Sequence, residues 1–315
     1  MLTHTAEPTE AFHEKLLLWK RGDELGALNL RGYETRNESV LKLLEAAEQT
    51  HELASFAPLM VHTGDQPINP GDPSWSSLAF SRAAGFRDLP VPDFLFDGWP
   101  QVGIDDYAQA CEDAAAAGAL AAADARLGWI GNCDTNPIRW QLHALGVEHP
   151  QLLDVGDVTW VPAADGPRLA TAAGNYLSVP DQVRRWGLLL DIEGRGYSAR
   201  LKLLLHSGRP LLVQERPWEE FFWPRLIAWE HFIPVRRDLG DLVERVRWSH
   251  AHPEEAAAIG RAGQAFARTN LSRAAALSEW AATLAICAQE PPAPYGPPAV
   301  REVLDPVLRG LGAID

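Results

Sequence analysis

The chain has 315 residues, 46% hydrophobic and 22% charged, which is core material for about two domains and excludes a disordered chain. A net charge of −14 excludes general nucleic-acid binding, which needs a basic face to neutralise phosphates. The odd, widely spaced cysteines Cys111, Cys133 and Cys287 form no Cys-x-x-Cys pair, so neither a disulfide framework nor a structural zinc site is expected.

No apolar run approaches the ~18 residues of a membrane span. The first residues, Met1 to Pro8, show neither the basic nor the apolar region of a secretory leader, so a reducing cytoplasm is the expected compartment. Val40, Leu43, Leu44 and Ala47 recur at helical spacing and predict a helix over 36–54. A short strand over 57–61 follows and stops at Gly64-Asp65-Gln66-Pro67. Residues 66–102, rich in Pro, Gly, Ser and Trp, read as a long functional loop region with strands over 77–80 and 93–96. An alanine-rich helix is predicted over 104–125, a strand over 127–131, and a helix from Pro137, where proline suits the first turn.

Residues 146–190 carry weaker elements and a crossover between domains. Beyond them the chain reads as a buried strand over 186–192, a helix over 197–206 closed by Ser207-Gly208, and a buried strand over 210–214. In the aromatic stretch that follows, Trp218, Phe221, Phe222, Trp223 and Trp229 read as core. A strand over 232–235, a helix over 238–249, long helices over 253–289 and a proline-rich tail complete the chain. The tail either packs on the N-terminal domain or stays mobile. The β-turn-α-β alternation implies parallel sheets flanked by helices.

The stretch from Leu188 to Gly208, LLLDIEGRGYSARLKLLLHSG, is the most informative. An apolar strand runs through a glycine turn into a helix, whose first N–H groups would face an anion. Arg195 stands in the turn, Ser198 in the first helical turn, and Arg200 and Lys202 close behind. A strand-to-helix turn with solvated arginines is the plain alternative. Neither the P-loop nor the complete dinucleotide fingerprint is present.

With Trp218-Glu-Glu220-Phe-Phe222 and Trp229-Glu-His231-Phe-Ile-Pro234-Val, this segment resembles the CAP10-like family, glycosyltransferase family 90. That family includes protein O-glucosyltransferases, capsule xylosyltransferases and bacterial lipopolysaccharide-core glycosyltransferases. The resemblance implies an α/β chain of GT-B fold, with two Rossmann-like domains facing an interdomain cleft. Residues 1–150 would form an acceptor-side domain, 151–290 a UDP-sugar-binding domain, and 291–315 a tail. It further implies a UDP-sugar donor, inversion at the anomeric carbon, and no metal or other cofactor. The sequence agrees on the last point in containing no Asp-x-Asp.

By the resemblance, Arg195, Gly196, Tyr197, Ser198, Ala199 and Arg200 fall on the donor-binding loop, with Arg200 on the diphosphate. Glu220 would accept the ribose hydroxyls, its alternative being a helix-start or surface charge. Asn132 and Arg139 would reach the donor from the other domain. Two positions depart from the family: Ile130 and Glu193 stand where arginines are usual. Asp65 matches the catalytic base in a strand-x-Arg-Asp-x-Pro pattern, here with Gly64 before it. It would take the acceptor's proton, whereas a turn residue before proline is its plain reading. Asp97 and Trp99 fall on the acceptor side, where a turn and a core tryptophan are equally good readings. The acceptor would be a glycan or glycolipid of lipopolysaccharide-core type, which would bring the chain to a membrane surface. A catalytically inactive nucleotide- or carbohydrate-binding scaffold is the alternative function.

Overall fold

The computed structural model describes residues 2–5, 14–30, 34–162, 169–171, 175–289 and 294–315. Met1 and residues 6–8 of the N-terminal segment, and the tail's start at 291–293, lie outside the described residues. The chain divides into two compact units, and the division does not fall at residue 150. The first comprises Met1–Asp97, Pro217–Phe221 and Arg273–Asp315; the second comprises Gly98–Arg216 and Phe222–Ser272.

The first unit is built on β1 (Leu2–Thr5), β2 (Lys15–Arg21), β3 (Glu24–Asn29), β4 (Phe56–His62), β5 (Ser77–Ala79) and β6 (Leu89–Pro90). Its helices among the described residues are α1 (Glu34–His51), α8 (Arg273–Gln289) and α9 (Pro298–Gly310). The strands form one mixed sheet in the order β1-β3-β2-β4-β5-β6, with β4, β5 and β6 parallel. The β2–β3 hairpin is absent from the sequence expectations. It turns through Gly22-Asp23, where Gly22 takes φ +57°, a value that favours glycine. Leu16, Leu17 and Leu18 are all fully buried, so the strand lacks the alternation that would reveal it.

The tail is described from Pro294, and α9 closes the apolar face of this hairpin. Leu304, Leu308, Tyr295 and Ala313 pack with Leu17, Trp19, Leu28, Leu30 and Met60 in one cluster. The strand expected over 93–96 is instead a 3-10 helix, Phe94–Phe96, because the Asp93 carboxylate accepts from the Leu95 N–H and bends the chain.

The second unit contains α2 (Tyr107–Gly118), β7 (Asp124–Gly131), α3 (Pro137–Glu148), β8 (Leu153–Asp157), β9 (Trp160–Pro162) and β10 (Leu169–Thr171). It continues with α4 (Val179–Arg185), β11 (Trp186–Asp191), α5 (Leu201–His206), β12 (Leu211–Gln214), β13 (Ile233–Val235), α6 (Leu242–Ala251) and α7 (Pro253–Asn270). Five strands make an all-parallel sheet, β13-β12-β11-β7-β8, and β9 and β10 pair separately. Counted along this unit the order is 2-1-3-4-5, the doubly wound pattern in which the strand order reverses between β7 and β11. Ligands of such sheets sit beyond the carboxyl ends of the strands at that switch point. Gly128 on β7 lies directly under the Trp186 indole, which leaves no space for a Cβ.

Two expectations change here. The helix placed at residue 197 begins only at Leu201 and has 6 residues, so no helix N-terminus faces the glycine turn. Phe221 and Phe222 are core as expected, but Trp229 is 42% exposed, lying under the Arg245 guanidinium and edge-on to Trp248.

Leu308→Ala should lower stability by about 2–5 kcal/mol through the cavity left under α9, read as a lower urea midpoint. A second prediction concerns His62 at the end of β4. Burial, helped by the nearby Lys15 charge, pushes its imidazole down to about 4 from the usual 6.5, while its Nδ1 lies 3.0 Å from the Glu14 carbonyl oxygen. The unfolded chain therefore binds the extra proton first as pH falls. The His62 contribution to stability should fall between pH 6.5 and about 4, by at most about 3 kcal/mol, and stay constant below. His62→Gln should flatten this slope in denaturant titrations across that range.

Candidate active site

In the second unit, the strand ends at the switch point carry a cluster of arginines. After β7 the chain makes a 3-10 turn, Cys133–Thr135, capped by the Asn132 side chain, which accepts from the Asp134 N–H. Asn136 then caps α3, and Pro137 sets its first turn. This start points Arg139 back across the sheet. Its Nε donates to the Glu193 carbonyl at 2.9 Å and its Nη1 to the Asn132 carbonyl at 3.0 Å. Arg139 thus ties the carboxyl ends of β7 and β11 together. Asn136 adds a third tie by donating to the Gly194 carbonyl at 2.8 Å. A Cβ at Gly194 would stand 3.3 Å from Arg139 Nη2, so a larger residue there would crowd the guanidinium.

Arg200 reaches the same place from the loop after β11. Its Nη1 donates to the Ile130 carbonyl at 2.7 Å. The Arg139 and Arg200 guanidinium carbons lie 5.4 and 5.7 Å from the ring centroid of Trp129. Burial, and then the Arg200 charge, push Arg139 down to about 10; burial likewise lowers Arg200. The carboxylate that opposes this for both is Asp191, the last residue of β11. Asp191 is already engaged: Arg216 Nη1 lies 2.6 Å from its Oδ2, both side chains are fully buried, and Ser198 Oγ donates to its Oδ1 at 2.6 Å. One acid is shared among three guanidinium groups, which leaves the strand ends electropositive and suited to a multiply charged anion.

The residues expected at the donor fare differently. Asn132, Arg139 and Arg200 come together at the switch point, though the Asn132 side chain is turned to its own cap. Ser198 serves Asp191 instead of facing an anion. The Tyr197 ring receives the ammonium of the wholly buried Lys202 at 5.4 Å. Gly196 is buried, Ala199 is half-buried and Arg195 is exposed. Glu193, in the position usually held by an arginine, is a buried acid 3.7 Å from Arg237 Nε. Glu220 belongs to the first unit, where it is buried beside Glu219, which pairs with Arg82. Trp99 is in the second unit and donates through Nε1 to Gln101. Asp97 is in the first, 3.4 Å from Arg273 and 3.9 Å from Lys42.

In the first unit, Asp65 lies just past the carboxyl end of β4 and is partly exposed. Arg36, in the first turn of α1, donates through Nη1 to Asp65 Oδ1 at 2.8 Å and to the Thr63 carbonyl at 3.1 Å. The Thr63 hydroxyl donates to Asn37 Oδ1 at 2.7 Å, so successive α1 residues grip the loop that carries Asp65.

Arg36, Asp191 and Arg216 escaped the sequence reading. Their signals were an arginine in a helix's first turn, where the macrodipole disfavours it, an acid ending an apolar strand, and a cation just past another.

The sequence pattern of Glycosyl transferase family 90 matches residues 58–285. Protein O-glucosyltransferase 1 of Homo sapiens is 25% identical over 233 residues, which cover 68% of this chain and 57% of that protein. Protein O-glucosyltransferase 3 of Mus musculus is 32% identical over 135 residues, covering 43% and 26%. An uncharacterized protein, 035R, of Invertebrate iridescent virus 3 is 26% identical over 245 residues, covering 68% and 22%. The matches thus span between 22% and 57% of the length of these relatives. Because the family pattern runs through most of its residues, the chain belongs to glycosyltransferase family 90, the CAP10-like family.

Proposed function

We propose that the chain is an inverting, metal-independent GT-B glycosyltransferase. It moves a hexose or pentose from a UDP-sugar to a hydroxyl of a cell-surface glycan or lipopolysaccharide-core type acceptor, in the cytoplasm. Glucose, xylose and galactose are the candidate sugars, and the names of the O-glucosyltransferase relatives make glucose the first to try. The observation that carries the reading is the pair Arg139 and Arg200 at the carboxyl ends of β7 and β11, sharing an acid already bound to Arg216.

In this mechanism the diphosphate of UDP takes up the excess positive charge at those strand ends. The two guanidinium groups, fixed by carbonyl oxygens before the reaction begins, stabilise the charge that grows on the leaving diphosphate. They supply what a metal would otherwise bring. Asp65 accepts the proton of the acceptor hydroxyl as its oxygen attacks the anomeric carbon on the face opposite UDP. The C–O bond to UDP breaks as the new one forms, so an α-linked donor gives a β-linked product.

Arg200→Ala should weaken UDP binding by about 10- to 100-fold, the loss of a charge-assisted pair. Calorimetric titration with UDP measures it, and unchanged affinity would count against the phosphate role. Asp65→Asn should keep UDP affinity and lower turnover by about 10²- to 10⁴-fold. UDP release is followed across a panel of UDP-glucose, UDP-xylose and UDP-galactose, with water or core oligosaccharide as acceptor. UDP binding without turnover of any donor by the unmodified protein would favour the inactive scaffold.

A further inference from the structure

The mechanism leaves a buried cation unused. Arg36 is largely buried, its side chain 10% exposed against 27% for Asp65. Among the groups that hold its guanidinium are the Asp65 carboxylate, the Thr63 carbonyl and the face of Phe94, whose ring centroid lies 4.8 Å from its central carbon. Asn37, the next residue on α1, fixes Thr63 through its hydroxyl. The guanidinium is therefore set before any substrate arrives, and it is set against a loop residue that would otherwise sample several rotamers.

Its location is costly without such a partner. A positive charge in the first turn of α1 is opposed by the helix macrodipole, and burial adds a desolvation cost. The carboxylate of Asp65 offsets both. The loop itself has no room to supply the cation. A Cβ at Gly64 would run into Nε2 of His62, whose ring already lies against the Glu14 carbonyl oxygen, and into the Glu14 carboxylate.

We infer that Arg36, which lies outside the family-matched residues 58–285, is the positioning residue for Asp65. The inference rests on the proposed role of Asp65 as the base. Arg36 holds Oδ1, which aims Oδ2 at the acceptor hydroxyl. It touches neither donor nor acceptor and acts only through the carboxylate. A planar fork that meets a carbonyl and a carboxylate at once fixes orientation in a way that a single ammonium does not.

The test is a double-mutant cycle on the purified full chain, with the UDP-sugar that turns over in the panel as the probe. Arg36→Gln should lower kcat by about 10²-fold, the scale of a misplaced reacting group, with KM for the donor and the Kd for UDP within about twofold. In the Asp65→Asn background the same change should cost nothing further, because the group it orients is gone. Arg36→Lys keeps the charge and should fall between, at about a 10-fold loss of kcat. If Arg36→Gln does not fold, as read by far-UV circular dichroism, Arg36→Lys carries the test. Wild-type kcat in the folded Arg36 variants, or losses that multiply in the double mutant, overturns the inference while leaving Asp65 as the base. Full turnover by Asp65→Asn alone overturns the Asp65 reading itself and the role of Arg36 with it.

Discussion

One buried carboxylate governs how much positive charge the end of the parallel sheet can hold. Asp191 ends β11 and has no exposure, and its two oxygens are taken by Arg216 and Ser198. Removing one partner of such a buried pair typically costs 3–5 kcal/mol, because the other charge is left uncompensated. The pair therefore fixes the loop after β11 through Ser198, and that loop delivers Arg200 to the end of β7. Arg139 completes the arrangement from α3. The strand ends are prearranged, and burial together with the neighbouring Arg200 charge lowers Arg139 while burial lowers Arg200.

The two units, each taken by itself, place their charge differently. The second gathers cations at the ends of parallel strands and keeps its acids engaged: Asp191 with Arg216, and Glu193 beside Arg237. The first presents an acid, Asp65, beyond the end of β4 and holds it with a cation from α1. In each unit, backbone carbonyl oxygens accept from these arginines, so guanidinium direction is tied to strand geometry.

What the sequence made legible follows from this layout. The apolar runs ending at Gly131 and Asp191 announced β7 and β11 because strands buried on both faces need no alternation when glycine turns bound them. The same lack of alternation hid β2, whose bounding signal was the short Gly22-Asp23 turn. Prolines in the tail masked α9, although Leu304 and Leu308 lie one turn apart on its buried face. Local capping misled twice. Asp93 turned an apparent strand into a 3-10 helix, and Ser198 bonded to Asp191 rather than opening a helix. Arg139 and Arg200 could be found from a motif. Arg36 and Arg216 match no such motif, and their places became clear only when the fold brought them to Asp65 and Asp191.

The first unit is stitched from three separated stretches of chain, whereas the second is continuous save for residues 217–221. During synthesis the two therefore mature in the reverse of their order. The second can close its sheet once α7 has emerged. The β2–β3 hairpin, though made early, waits for Leu304 and Leu308 from the last helix before its apolar face is covered. Until then that hairpin offers an exposed apolar surface of the kind that chaperones shield.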